Sequence, residues 1–291
     1  MSKKNILNIK FLNWLIRKSF LSKTIYILWH FCIYFYYKTR MVLHYVSTIP
    51  RRLGFKDKRY MSLRELKGKY KGKRIFITCT GPSLTIEDLE LLKDEYVFGM
   101  NSICLIHDKT DWKPDFFGIQ DSNVYDRVKD SMLSTDNGMI FAPNSYKLRF
   151  GTPEDWVYFD VTGYYNCYEM LYKHKYFAKF SEDSYCTNYG GYSITYTILQ
   201  IVVYMGFDEI YLLGADCSYL GEKQHFVEHG HMEQSPIEQA AKMQVSYSVA
   251  KEYANKHGIK IVNVTRGGCL ELFPRMQLEE VLARKEKNKV C

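Results

Sequence analysis

An α/β fold, a mostly parallel sheet with helices on both faces, is what the sequence predicts from Arg74 onward. Two observations carry it. Apolar runs of strand length alternate with longer helical stretches. Polar and hydroxyl-rich residues follow most of those runs, where such a sheet presents its carboxyl ends. A third observation sets the remainder apart. Residues 1–74 hold 19 Lys/Arg against Asp57 and Glu65, which leaves 21 Lys/Arg against 30 Asp/Glu in residues 75–291. This asymmetry predicts a basic arm on an acidic domain. An acidic domain is a poor nucleic-acid binder, so no nucleic-acid partner is expected.

The arm comes first. Residues 24–37, TIYILWHFCIYFYY, are apolar and crowded with aromatics. The run is shorter than the ~20 residues a helix needs to span a bilayer. Arg17, Lys18 and Lys23 precede it; Lys38, Arg40, Arg51 and Arg52 follow. Trp and Tyr favour the headgroup layer and Lys/Arg favour anionic lipid, so residues 5–50 read as a monotopic membrane-surface anchor. A helix hairpin packed on protein and a true span are the other readings. No small-residue cleavage site follows the apolar core, which argues against a signal peptide. The expected organisation is a membrane-surface helical arm over 1–55, a basic linker over 56–73 with one short helix near Ser62–Leu66, and one domain over 74–291. The expected location is peripheral, at the cytoplasmic face of the inner or plasma membrane.

In the domain, residues 74–79 (RIFITC) predict a buried strand and 85–93 a helix with Leu89 and Leu92 on one face. Residues 96–100 and 115–120 predict the second and third strands, with a polar helix near 122–132. Residues 138–142 and 156–159 are short strands. Residues 192–205 are apolar nearly all round and predict a buried helix. A strand at 209–213 lies between Gly206 and Gly214. Residues 236–257 form a long helix that Gly258 ends. A strand at 259–264 and a helix at 276–286 close the chain. The eight Cys form no C-x-x-C pair and several sit in apolar runs, the pattern of reduced structural thiols rather than a disulfide framework or a zinc site.

The predicted carboxyl edge carries Thr78 to Ser83, Asn101-Ser102, Asp121-Ser122, Asp216-Cys217-Ser218 and Asn263 to Gly268. It is hydroxyl-rich and short of Lys. Neither the Walker loop nor G-x-G-x-x-G occurs. Thr80-Gly81-Pro82-Ser83-Leu84 stands at a strand–helix junction, where backbone N–H groups and the Ser83 hydroxyl can face an anion. A tight turn with Ser83 or Thr85 as helix cap explains it equally. His225, His229 and His231 fall within seven residues of a polar, loop-like stretch. Imidazole suits general-base work near neutral pH. Zinc held by H-x-x-x-H with Glu228 and Glu233 is a rival reading, and a solvated loop is another.

The order TGPSL, GMNS (99–102), IQD (119–121), YGGYSITYTILQIVVYMGFDEIYLLGAD (189–216), HF (225–226) and NVTRGGCLELFPR (263–275) resembles the bacterial hydroxymethylpterin pyrophosphokinase (MptE)-like family over roughly residues 72–282. That family is similar to the bacterial sialyltransferases that use CMP-sialic acid. The resemblance implies a Rossmann-like domain. Thr80, Gly81, Pro82, Ser83 and Asn101 would bind the nucleotide, with Asp121 on the same rim. Ser193 and Thr195 would approach its phosphate, and Asp216 would order the site. His229 matches the base best, ahead of His231 and His225. Thr80 stands where the sialyltransferases have Asn, and Cys217-Ser218 where they have an aromatic and a Tyr.

Three functions follow as expectations. One is an inverting, metal-independent glycosyltransferase that moves a sugar from a CMP-activated donor to a glycan or lipid-linked glycan acceptor, with no cofactor. The second is an ATP-dependent pterin pyrophosphokinase, which would need Mg²⁺ held by Asp121 and Asp216. The third is a non-enzymatic membrane-tethered scaffold. The missing Lys favours a nucleoside monophosphate leaving group over a triphosphate.

Overall fold

The computed structural model describes the main chain at residues 20–218, 223–228, 230 and 233–289, and side chains at 23–218, 223–228, 230 and 233–283. The chain divides into two units: residues 1–47 with 164–176, and residues 48–163 with 177–291.

In the larger unit, the strands are β1 (Arg74–Thr78), β2 (Tyr96–Met100), β3 (Phe116–Gly118), β4 (Met139–Pro143), β5 (Val157–Phe159), β6 (Val161–Thr162), β7 (Asn188–Tyr189), β8 (Glu209–Leu213) and β9 (Lys260–Asn263). Seven form one sheet in the order β5-β4-β3-β2-β1-β8-β9, every pairing parallel. β6 and β7 form a separate parallel pair. This is the Rossmann-like α/β architecture. The order reverses at β1, which has β2 on one side and β8 on the other. All-parallel strands covered on both faces read as continuous apolar runs, as in RIFIT and EIYLL. Phe76, Phe98, Phe117, Phe141, Ile77 and Leu212 are fully buried.

The helices are α1 (Phe20–Arg52), α2 (Met61–Arg64), α3 (Ile86–Glu90), α4 (Ser122–Ser134), α5 (Ser145–Phe150), α6 (Tyr164–Tyr172), α7 (Ile194–Met205), α8 (Pro236–His257) and α9 (Leu278–Lys289). α7 is buried on nearly every side. Its one long polar side chain, Gln200, accepts from the Ser181 and Tyr189 amides (3.0 Å each) and donates to the Tyr189 and Tyr196 carbonyls. Each donor and acceptor of a buried amide must be matched, and here they tie α7 to β7.

Two expectations about organisation are corrected. Residues 56–73 are not a linker: Tyr60, Leu63 and Leu66 are buried in the core of the larger unit. The Gly68 and Tyr70 amides donate to the last carbonyls of α7, at Tyr204 and Met205. Three apolar residues at spacing three outweigh the basic composition around them. The boundary also moves, from 55/56 to 47/48. Arg51, expected to flank a lipid-facing run, is buried; it donates to the Asp160 carboxylate at 2.8 Å and the Cys186 carbonyl at 2.7 Å.

The smaller unit contains α6, which breaks the expected single span 74–291. Tyr164 accepts a hydrogen bond from Arg40. Tyr168 lies near Tyr34 and Lys38, and Tyr172 near His30 and Tyr34. Contacts that step back along α1 as α6 advances define an antiparallel helical pair. Among the described residues no helix is long and apolar enough to cross a membrane.

Candidate functional site

In open parallel sheets, ligands bind at the carboxyl ends of the strands where the order reverses. Here that point lies between β1 and β8. The chain leaves β1 as Cys79-Thr80-Gly81-Pro82-Ser83 and leaves β8 as Gly214-Ala215-Asp216-Cys217.

These two segments are locked together. The Cys79 amide donates to the Leu213 carbonyl and the Gly81 amide to the Gly214 carbonyl. The Ser83 hydroxyl donates to Asp216 Oδ2 at 2.7 Å, and its amide reaches the same oxygen at 3.4 Å. The Ser83 amide and hydroxyl are therefore directed at a protein carboxylate, and the Cys79 and Gly81 amides at backbone carbonyls. Thr85, not Ser83, caps α3, through a capping box with Asp88. Gly81 is required by space: a Cβ there would lie 2.0 Å from Asp216 Oδ2 and 2.4 Å from the Gly214 carbonyl oxygen.

Asp216 is 8% exposed. Burial raises its carboxyl above the ordinary range, opposed by the Ser83 hydrogen bonds and the charge of Arg275. The Asp216 carbonyl accepts from the Cys269 amide. Gly268 has φ +73°, and a Cβ on it would meet the Asp216 backbone at 2.7 Å. Arg275 donates to the Thr265 and Gly268 carbonyls and holds this loop in shape.

The other expected residues are distributed unevenly. Asn101 directly follows β2, and its buried Oδ1 has no hydrogen-bond partner among the described residues. Gln120, which follows β3 and was not expected, has a buried Oε1 in the same condition. The only signal for it was its place in IQD, beside Asp121. Asp121 is exposed and caps α4 by accepting from the Asn123 amide. Ser193 caps α7. Thr195 is buried, its hydroxyl 3.5 Å from both Cys79 Sγ and Met100 Sδ, so its side chain faces sulfur. Burial pushes the Cys79 and Cys217 thiols up to about 12, which removes them as nucleophiles at neutral pH.

Asn101, Tyr192 and Cys217 have φ of 51°, 66° and 53°. Left-handed backbone at residues with a Cβ costs on the order of 1–3 kcal/mol each and gathers at functional sites. Asn101 and Cys217 follow β2 and β8, and Tyr192 precedes the cap of α7.

His225 is buried beside this edge. The next amide, Phe226 N–H, donates to the Thr80 carbonyl at 2.8 Å. Glu228 folds back to accept from the Gln224 and His225 amides. His229 and His231 lie outside the described residues. Among the described residues no group of three His, Cys, Asp or Glu side chains is arranged to hold a metal ion.

No curated protein matches the chain. Among solved structures, it is similar to the MAf glycosyltransferase from Magnetospirillum magneticum AMB-1, with 14% identity and a TM-score of 0.40 over 80% of this chain. The match covers 41% of that protein, so the chain spans about two fifths of its length. The model of the 6-hydroxymethylpterin diphosphokinase MptE-like family matches residues 55–222, more than half of the chain, and the chain belongs to that family.

Proposed function

We propose that the switch-point crevice binds a CMP-activated sugar and transfers the sugar, with inversion, to the hydroxyl of a glycan acceptor. The observation that carries this reading is a pair of uncharged acceptors on the rim: Asn101 Oδ1 and Gln120 Oε1 are buried and without a partner among the described residues. An unmatched buried acceptor costs about 1–3 kcal/mol, which a bound amino or hydroxyl donor relieves. A nucleobase and a ribose offer those donors. The His-bearing segment supplies the base. In this reading His229, with His231 and His225 as alternatives, takes the acceptor proton as the hydroxyl attacks the anomeric carbon, and the nucleotide phosphate leaves with the bond electrons. Thr80, Gly81, Pro82 and Ser83 shape the nucleotide side of the crevice. Ser193 and Thr195 set the start of α7 toward the phosphate. Asp216 orders the loop from beneath.

The family description favours a second reading, diphosphoryl transfer from ATP to a pterin alcohol. That reaction needs Mg²⁺ on carboxylates. Asp216 already accepts from Ser83, and Asp121 is engaged as a helix cap. These two residues make a poor cage as they stand.

Thermal-shift titration separates the two. CMP should raise Tm equally with and without Mg²⁺. Stabilisation by ATP that requires Mg²⁺, with none by CMP, overturns the glycosyltransferase reading in favour of the kinase.

A further inference from the structure

The sequence of α1 is apolar on more faces than the protein covers. Ile33 and Met41 are buried. A second stripe, Ile27, Phe31, Phe35, Val42 and Val46, runs at spacings of four and seven, which places it on one helical face. Every one of these residues is more than half exposed; Ile27 is at 66% and Phe31 and Val42 at 59%. Trp29 and Leu43 widen the face at 52% and 57%. An open groove of about 780 Å³, lined by Ile27, Phe31 and Phe35 with Tyr172 and His174, continues it. Scattered exposed apolar residues are ordinary, but a contiguous face of this kind marks an interaction surface.

Charge identifies the partner. The 33 residues of α1 contain no Asp or Glu. Lys23, Lys38 and Arg40 are exposed along it, and Lys173 and Lys175 stand beyond α6, sharing the single carboxylate of Glu169. A second copy of the same helix would bring cations against cations with no acid to answer them. Anionic headgroups supply the missing charge, and the acyl region accepts the apolar face. A helix of this length, about 50 Å at 1.5 Å per residue, suits lying in the interface.

We infer that the exposed face of α1 docks on an anionic bilayer surface, with Ile27, Phe31, Phe35, Val42 and Val46 inserted below the headgroups. This narrows the anchor expected over residues 5–50 to one face of α1 and is independent of the reaction catalysed.

The test is flotation of the full chain with vesicles of phosphatidylcholine alone and of equal parts phosphatidylcholine and phosphatidylglycerol. The protein should float with the mixed vesicles at least about tenfold more than with the neutral ones, and less at high salt. The double variant Phe31→Glu, Val42→Glu should stay at the bottom with an unchanged Tm, since both side chains already face solvent. The milder Phe31→Ser, Val42→Ser gives an intermediate loss. Failure of the native protein to float, or equal flotation of the variants, overturns the proposal. So does a dimer in light scattering that these substitutions dissociate while no vesicle binding occurs, because the face would then belong to a second copy.

Discussion

The Ser83 hydroxyl lies 2.7 Å from Asp216 Oδ2, a bond between the loops that follow β1 and β8. It joins the two strands at which the sheet order reverses, and it leaves one carboxylate buried under the crevice. Burial raises the Asp216 carboxyl. The folded state therefore holds this proton more tightly than the unfolded chain does. Its stabilising contribution is fully present below the ordinary carboxylate pKa and is lost as pH rises through the raised, folded-state value.

Asp216→Asn removes that dependence and keeps an acceptor for Ser83. At neutral pH the variant should be more stable by about 1 kcal/mol, with the difference shrinking as pH falls through the acid range. Urea denaturation at a series of pH values measures this. A variant that is less stable at neutral pH would mean that the Arg275 charge outweighs burial.

Gly81→Ala should destabilise by about 3 kcal/mol, the upper part of the range for overpacking. The added methyl meets Asp216 Oδ2 at 2.0 Å and the Gly214 carbonyl at 2.4 Å, and a backbone oxygen cannot swing aside. Combining Gly81→Ala with Asp216→Asn should recover little, since the carbonyl contact persists. Full recovery would show that the side chain alone sets the cost.

The sheet was readable because parallel strands buried on both faces leave continuous apolar runs, and Gly206, Gly214 and Gly258 punctuate them. The wrong boundary has a physical cause. Composition averages over residues 56–73, but Tyr60, Leu63 and Leu66 share one side and are buried. The family match begins at residue 55, just ahead of this packed segment, and includes all of it. α6 was not foreseen, because its apolar face is made of tyrosines, Tyr164, Tyr165, Tyr168 and Tyr172, in a run of only nine residues. At the site, TGPSL was correctly placed at the strand end, but its internal bonding to Asp216 pairs residues 133 apart in sequence. No local pattern reports such a bond.

Arg51→Met tests the corrected boundary. The guanidinium bonds Asp160 and the Cys186 carbonyl and lies over the Tyr60 ring, 4.3 Å from its centroid. Removing it withdraws the guanidinium charge from Asp160 and should cost about 2 kcal/mol, below the usual 3–5 for a fully buried pair because Asp160 is partly solvated. Arg52→Met, one residue on and exposed, should change stability by less than about 0.5 kcal/mol. Equal effects in urea denaturation would return residue 51 to the arm.

Asn101 separates strain from recognition. Its φ of 51° favours Gly, so Asn101→Gly should stabilise the fold by relieving about 1 kcal/mol of left-handed cost, while Asn101→Ala, with its Cβ retained, should not. Both variants lose the buried Oδ1. If that oxygen receives a donor from the nucleotide, CMP binding weakens by at least about tenfold in both, which corresponds to one hydrogen bond of about 1.4 kcal/mol. If Asn101 matters only for its backbone, the Gly variant binds CMP as the native protein does. Calorimetric titration of the two variants therefore distinguishes a residue that shapes the rim from one that reads the ligand.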